Sequence, residues 1–162
     1  MPLMKTHPSH LLRLLAIVIP ITFSCASASP AATEEATRDL ARAVRFELGD
    51  TKFANGDNIT VTRMWGTSET IAPGGTYCVE GTYTLASRDE VDLAFFSTTA
   101  AASGPSPIDP KQHVRIKKGT GSFRLVKTLN EDGYLHLSFY PVPSGSDFGG
   151  VYFGQGKRVL RK

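Results

Sequence analysis

Residues 29–162 contain two imidazoles, His113 and His136, and one thiol, Cys78. Zinc needs three or four Cys, His or carboxylate ligands at close spacing, and no CxxC, HxxxH or HxH pattern occurs. Each histidine lies in an alternating stretch beside Arg, Lys or Ser, which places both on solvated strand faces. A thiol, an imidazole and a carboxylate can meet in space from distant positions, so His136 with Asp132 or Cys78 makes a small secreted hydrolase the enzymatic alternative. Against it, a nucleophilic thiol needs a cationic neighbour or a helix N-terminus, and Cys78 stands in mid-strand on the face of Glu80. No G-x-S-x-G elbow is present for a serine nucleophile. The sequence therefore assigns no catalytic residue.

Carboxylates gather at Asp89-Glu90-Asp92 and Glu131-Asp132, with Asp50 and Asp57 apart from them. Turn chemistry accounts for acids in such places, and the spacing of a helix-loop-helix calcium site is absent, so no metal ligand is assigned. The glycine-rich stretch Phe148 to Arg158 suggests a phosphate cradle. Its spacing refutes one: Val151 stands where the first glycine of a P-loop belongs, and Arg158 where Ser or Thr does. No cofactor is indicated. What remains is aromatic. Trp65, Tyr140, Phe148 and Tyr152 fall at strand ends or opposite the expected core, and exposed aromatic groups mark protein or glycan contacts. A second layer of core is the competing reading. Asn58-Ile59-Thr60 is a formal N-glycosylation acceptor, relevant only in a eukaryotic secretory pathway.

These side chains need strands to position them. From Val44 onward apolar residues alternate with polar ones, and the runs are rich in Val, Ile, Thr, Tyr and Phe. Turn signals punctuate them at Gly49-Asp50, Asn55-Gly56-Asp57, Pro73-Gly74-Gly75, Ser87 to Glu90, Gly119-Thr120-Gly121 and Asn130 to Gly133. Residues 99–111, with Gly104, Pro105, Pro107 and Pro110, read as an irregular, exposed loop. About eight short strands so spaced predict an all-β domain over residues 44–162, a single antiparallel β-sandwich, with a small β-barrel as the alternative. The expected core includes Phe46, Ile59, Val61, Val79, Tyr83, Leu85, Leu93, Phe95, Val114, Ile116, Phe123, Leu125, Leu135, Leu137, Phe139, Val151 and Phe153. The same alternation turns Cys78 outward with Glu80, Thr82 and Thr84, toward solvent.

Ahead of the domain, residues 1–13 carry Lys5 and Arg13 with no acid, and Leu14 to Ser24 is an apolar run followed by Cys25-Ala26-Ser27-Ala28. This order is that of a secretory signal peptide over residues 1–28, cleaved before Ser29. The run is too short to span a bilayer, so no transmembrane span is expected after cleavage. The competing reading is a lipoprotein, anchored through a lipid on Cys25. Residues 29–43, with Ala36, Leu40 and Ala43 on one helical face, form a leader or short helix. Removing residues 1–28 leaves 16 basic against 15 acidic residues, so the domain has no net field to draw in nucleic acid.

The stretch Ala72 to Ser87 (APGGTYCVEGTYTLAS), with Gly133 to Tyr140 (GYLHLSFY), resembles small exported bacterial β-domain proteins of unknown function. That resemblance implies an envelope or extracellular location and supplies no activity. Together these readings predict a non-catalytic binding or interaction module, secreted or periplasmic, whose partner is a protein or glycan of the envelope.

Overall fold

The computed structural model describes residues 40–54, 56–99 and 109–161; the expected signal peptide, its Cys25, residues 29–39 of the leader and most of the proline-rich loop lie outside them. Seven strands follow in chain order: β1 (Arg42–Ala43), β2 (Glu47–Lys52), β3 (Asn58–Gly66), β4 (Thr76–Thr98), β5 (His113–Thr128), β6 (Tyr134–Pro141) and β7 (Gly149–Gly154). All pairings are antiparallel, as the alternation requires. The described residues hold no α-helix, only 3-10 turns at Pro110–Gln112 and Gly156–Arg158. None of their helices is long and apolar enough to cross a membrane. Where the leader enters the described region, Arg42–Ala43 is extended and pairs with Trp65–Gly66, in place of a helix.

The sandwich expectation changes in one respect. The strands form a single curled sheet in the order β1-β3-β4-β6-β7-β2, with β5 on the remaining edge of β4, like half of a barrel. Its curl comes from β4, which is twice as long as the sequence suggested. The first part of β4 (Tyr77–Thr84) pairs with β3, and its last part (Val91–Thr98) pairs with β6 along the same edge. Ser87-Arg88-Asp89-Glu90, expected to be a hairpin turn, is a bulge: Leu85 pairs with Gly119 and Glu90 with Lys117, so four residues of β4 oppose Lys118 alone. Gly119 lies in that bend at φ +125° and is a member of β5, not of a separate turn. A bulge sharpens the local twist and bends the strand, so that one strand serves two parts of a single curled sheet.

That core is one cluster. Leu93 and Phe95 of β4, Leu135, Leu137 and Phe139 of β6 and Phe153 of β7 are all fully buried, and they share the cluster with Ile59, Val61 and Met64 of β3 and Phe123 and Leu125 of β5. Of the expected core, Phe46 and Tyr83 pack half-buried at its margin, and Val114, near the start of β5, is exposed instead. Alternation does not reveal Ile71, Tyr77, Leu129 or Val159, which are buried from loops and strand ends.

The bend exposes backbone donors on the β4 edge between β3 and β6. Asp57 covers them. Its Oδ1 accepts from the backbone N–H groups of Ala86 (2.8 Å) and Ser87 (3.0 Å), and Oδ2 accepts from Ser87 Oγ (2.5 Å). The side chain arrives from a turn in which Gly56 takes φ +86°, a conformation that favours glycine. Burial alone would raise the Asp57 carboxyl pKa, but the bonds from Ser87 and Ala86, with the charge of Arg88, outweigh it and hold the group below its usual range. Asp57→Ala should therefore cost about 1–3 kcal/mol in urea unfolding, because two part-buried N–H groups and the Ser87 hydroxyl lose a charged acceptor. Asp57→Asn, which keeps one carbonyl acceptor, should cost less. Since the folded pKa is depressed, this contribution is complete above the unfolded carboxyl range and disappears as pH falls below it; equal stability of wild type and Asp57→Ala at pH 7 would contradict the role.

Candidate functional site

In the half of the sheet built from β4, β6 and β7, the face turned away from the core carries its own ordered rows of side chains. Register places Phe96 opposite His136 and His136 opposite Tyr152, a row running across three strands. The next row is small, Ala94–Ser138–Gly150, and Tyr140 follows opposite Asp92. Large rings on both sides of a row of small residues leave hollows over it. One, of about 440 Å³, is lined by Asp50, Lys52, Ser138, Asp147, Phe148 and Tyr152, among others. The other, of about 310 Å³, is lined by Ala94, Phe96, His113, Tyr140 and the Pro141–Gly145 segment. They share the small row as floor: Ser138 and Gly150 belong to the first, Ala94 to the second.

The rings touch. Phe96 meets Tyr140 edge-on at 5.4 Å and His136 at 6.1 Å, and His136 meets Tyr152 at 5.1 Å between centroids. His136 is thus not the solvated histidine expected from its polar neighbours. Tyr152 and Phe96 flank it until it is only 7% exposed, and its nitrogens bond Thr98 Oγ1 (3.0 Å) and Ser138 Oγ (2.9 Å). Burial drives its imidazole down to about 4; the carboxylate of Asp147 pulls upward, and Lys127 adds to the lowering. Burial likewise pushes the Tyr140 phenol up to about 12, reinforced by Asp147, while the Ser138 hydroxyl works the other way. His113 is exposed, as expected.

The four aromatic candidates do not stay together. Tyr140 and Tyr152 stand in this cluster, and Phe148 lines the larger hollow, its ring stacked on Phe139 at 5.9 Å with the Arg88 guanidinium 4.4 Å from its centroid. Trp65 is on β3, in the other half of the sheet, with Arg63 5.0 Å over its ring and Cys78 as its cross-strand partner. Phe96 and Ser138, which complete the arrangement, were not singled out in the sequence. The signal for Ser138 was its place two residues from His136 in an alternating strand.

The residues of the hydrolase alternative are separated. Asp132 is at the surface in an ion pair with Arg158 (2.8 Å). Cys78 lies in the first part of β4, and it is buried, a correction to its expected exposure. The alternation put it on the right face, but that face is covered: Arg124 Nε donates to its Sγ at 3.2 Å, and Trp65 and Val126 flank it. Burial raises its thiol pKa, and Arg124 only partly offsets this, so the sulfur stays protonated at neutral pH. Among the described residues no group of three His, Cys, Asp or Glu side chains could hold a metal ion. No family model matches this chain, and neither a curated protein nor a solved structure does.

Two measurements follow from these burials. An NMR titration should find the His136 midpoint near 4, against about 6.5 for an unhindered histidine. Because the folded pKa is the lower one, the unfolded chain takes up the proton first, so stability falls as pH drops from about 6.5 toward 4, by at most about 3 kcal/mol. His136→Gln should flatten that slope; an unchanged slope would show that another group carries it. Native Cys78 should react with a thiol reagent at least about a hundredfold more slowly than in denaturant, since labelling requires local opening. Equal rates would show the side chain to be open to solvent.

Proposed function

We propose that the chain is exported and that its β-domain is a non-catalytic binding module, with the Phe96–His136–Tyr152 row, Tyr140 and the two hollows as its contact surface. The observation that carries this reading is that two hollows lined by aromatic side chains share one face and one floor of small residues. Aromatic anchors beside concave space supply much of the free energy of typical interfaces and ligand sites. Export rests on the charge and apolar order of residues 1–28 and on the resemblance to exported bacterial proteins, with cleavage before Ser29 or, alternatively, a lipid on Cys25.

The Ser138–His136 contact raises the question of serine hydrolysis. A base for that task works best with a pKa near the working pH, whereas burial leaves His136 a weak proton acceptor at neutrality. Its second nitrogen bonds the hydroxyl of Thr98, where a catalytic triad would place a carboxylate. Binding is therefore the better reading of the same geometry.

Affinity capture from an envelope extract, run with wild type and a Tyr140→Ala/Tyr152→Ala double variant, tests it. Wild type should retain a component that the double variant loses, with both proteins melting cooperatively. Identical captures from both would remove the aromatic surface from consideration.

A further inference from the structure

The larger hollow has a composition that selects among ligands. We infer that it takes one neutral sugar ring of a glycan; this names the ligand class of the surface proposed above and rests on that reading. Charges of both signs stand at its rim: Asp50 and Lys52 from β2, and Asp147 from the segment before β7. A cationic ligand would meet Lys52 and an anionic one Asp50 and Asp147, in each case like charge at short range. A neutral ligand bearing hydroxyl groups has use for both, because each hydroxyl donates one hydrogen bond and accepts others. Neither Lys52 nor Asp147 is engaged in an ion pair among the described residues.

The remaining lining fits the same ligand. Thr51 and Ser138 add hydroxyl groups, and Tyr152 adds a half-buried ring. One face of a pyranose is a patch of C–H bonds, which lies well on the electron-rich face of an aromatic ring. Gly149 and Gly150 contribute no side chain, so the wall beside Tyr152 stays flat. A β-carbon on Gly150 would overlap Ser138 Oγ, which His136 holds in place. The volume of about 440 Å³ is within the range of small-ligand sites. Beyond the Ala94–Ser138 floor, the second hollow offers Phe96 and Tyr140 to a following ring, so the ligand is a chain of sugars rather than a monosaccharide.

Isothermal titration of the full exported chain with neutral tetrasaccharides of glucose (β-1,4 and α-1,4) and of N-acetylglucosamine provides the test, with choline and acetate as charged probes. At least one tetrasaccharide should bind with Kd below about 1 mM. Asp147→Asn and Tyr152→Ala should each weaken it about tenfold or more, and Trp65→Ala, on the other half of the sheet, should not. Asp147 is exposed, so its variant reads binding without disturbing the core. The inference falls if no tetrasaccharide binds at about 10 mM, if only choline or acetate binds, or if both hollow variants bind as wild type does. If sugars fail while envelope capture still depends on Tyr140 and Tyr152, the sugar assignment alone is lost; failure of both removes the binding module as well.

Discussion

A strand that bends in mid-course leaves backbone N–H groups on the edge where one neighbour has ended and the next has not begun, and such groups must find acceptors if water cannot reach them. In β4 this stretch begins at Leu85, past the last pair with β3 at Thr84, and ends at Glu90, before β6 takes over at Val91. Asp57 resolves it from outside the ladder, with one carboxylate replacing the carbonyls of a missing strand. That arrangement lets β3 and β6 occupy the same edge in succession without leaving these donors bare. The single core beneath them, and the separate outer faces above, both follow from it.

The outer face of the β6 half departs from the usual pattern in which one side of an antiparallel sheet is apolar and the other wet. Leu135, Leu137 and Phe139 fill the inner side, yet His136 and Ser138 on the outer side are buried as well. Their burial is lateral: cross-strand neighbours Phe96 and Tyr152 lean over the imidazole, and Ser138 fits because Gly150 beside it has no side chain. Cross-strand pairing of this kind stabilises a sheet much as spacing by three or four does a helix. Here it also fixes a polar pair in an apolar setting, which sets ring orientations around the two hollows.

Sequence patterning made the inner face legible. The period of two assigned Ile59, Val61, Leu93, Phe95, Leu135, Leu137, Phe139, Val151 and Phe153 to the core, where they are found. It also gave the correct facing of Cys78 and His136. What it could not give is coverage by residues distant in the chain: Arg124 folds over Cys78 from 46 positions further along, in β5, and Tyr152 reaches His136 from β7. Turn signals were ambiguous for a related reason. Polar and glycine-rich stretches such as Ser87 to Glu90 and Gly119 to Gly121 suit a hairpin turn or a bulge equally, and the choice depends on which partner strand lies alongside. Tyr140 and Tyr152 were visible as aromatics opposite the core, whereas their grouping apart from Trp65 depends on strand order, which periodicity does not encode.

The pairing of β2 with β7 joins Glu47 to Gly154, and Gln155 then ties three early carbonyl and amide groups together, donating to Arg45 O and Glu69 O and accepting from Ile71 N–H. Arg161 closes an ion pair with Glu47. Among the early strands β2 is thus completed only by β7, a connection of high sequence separation that forms slowly. For a chain made from its N-terminus, such wiring delays closure of the sheet until residues 149–161 are present.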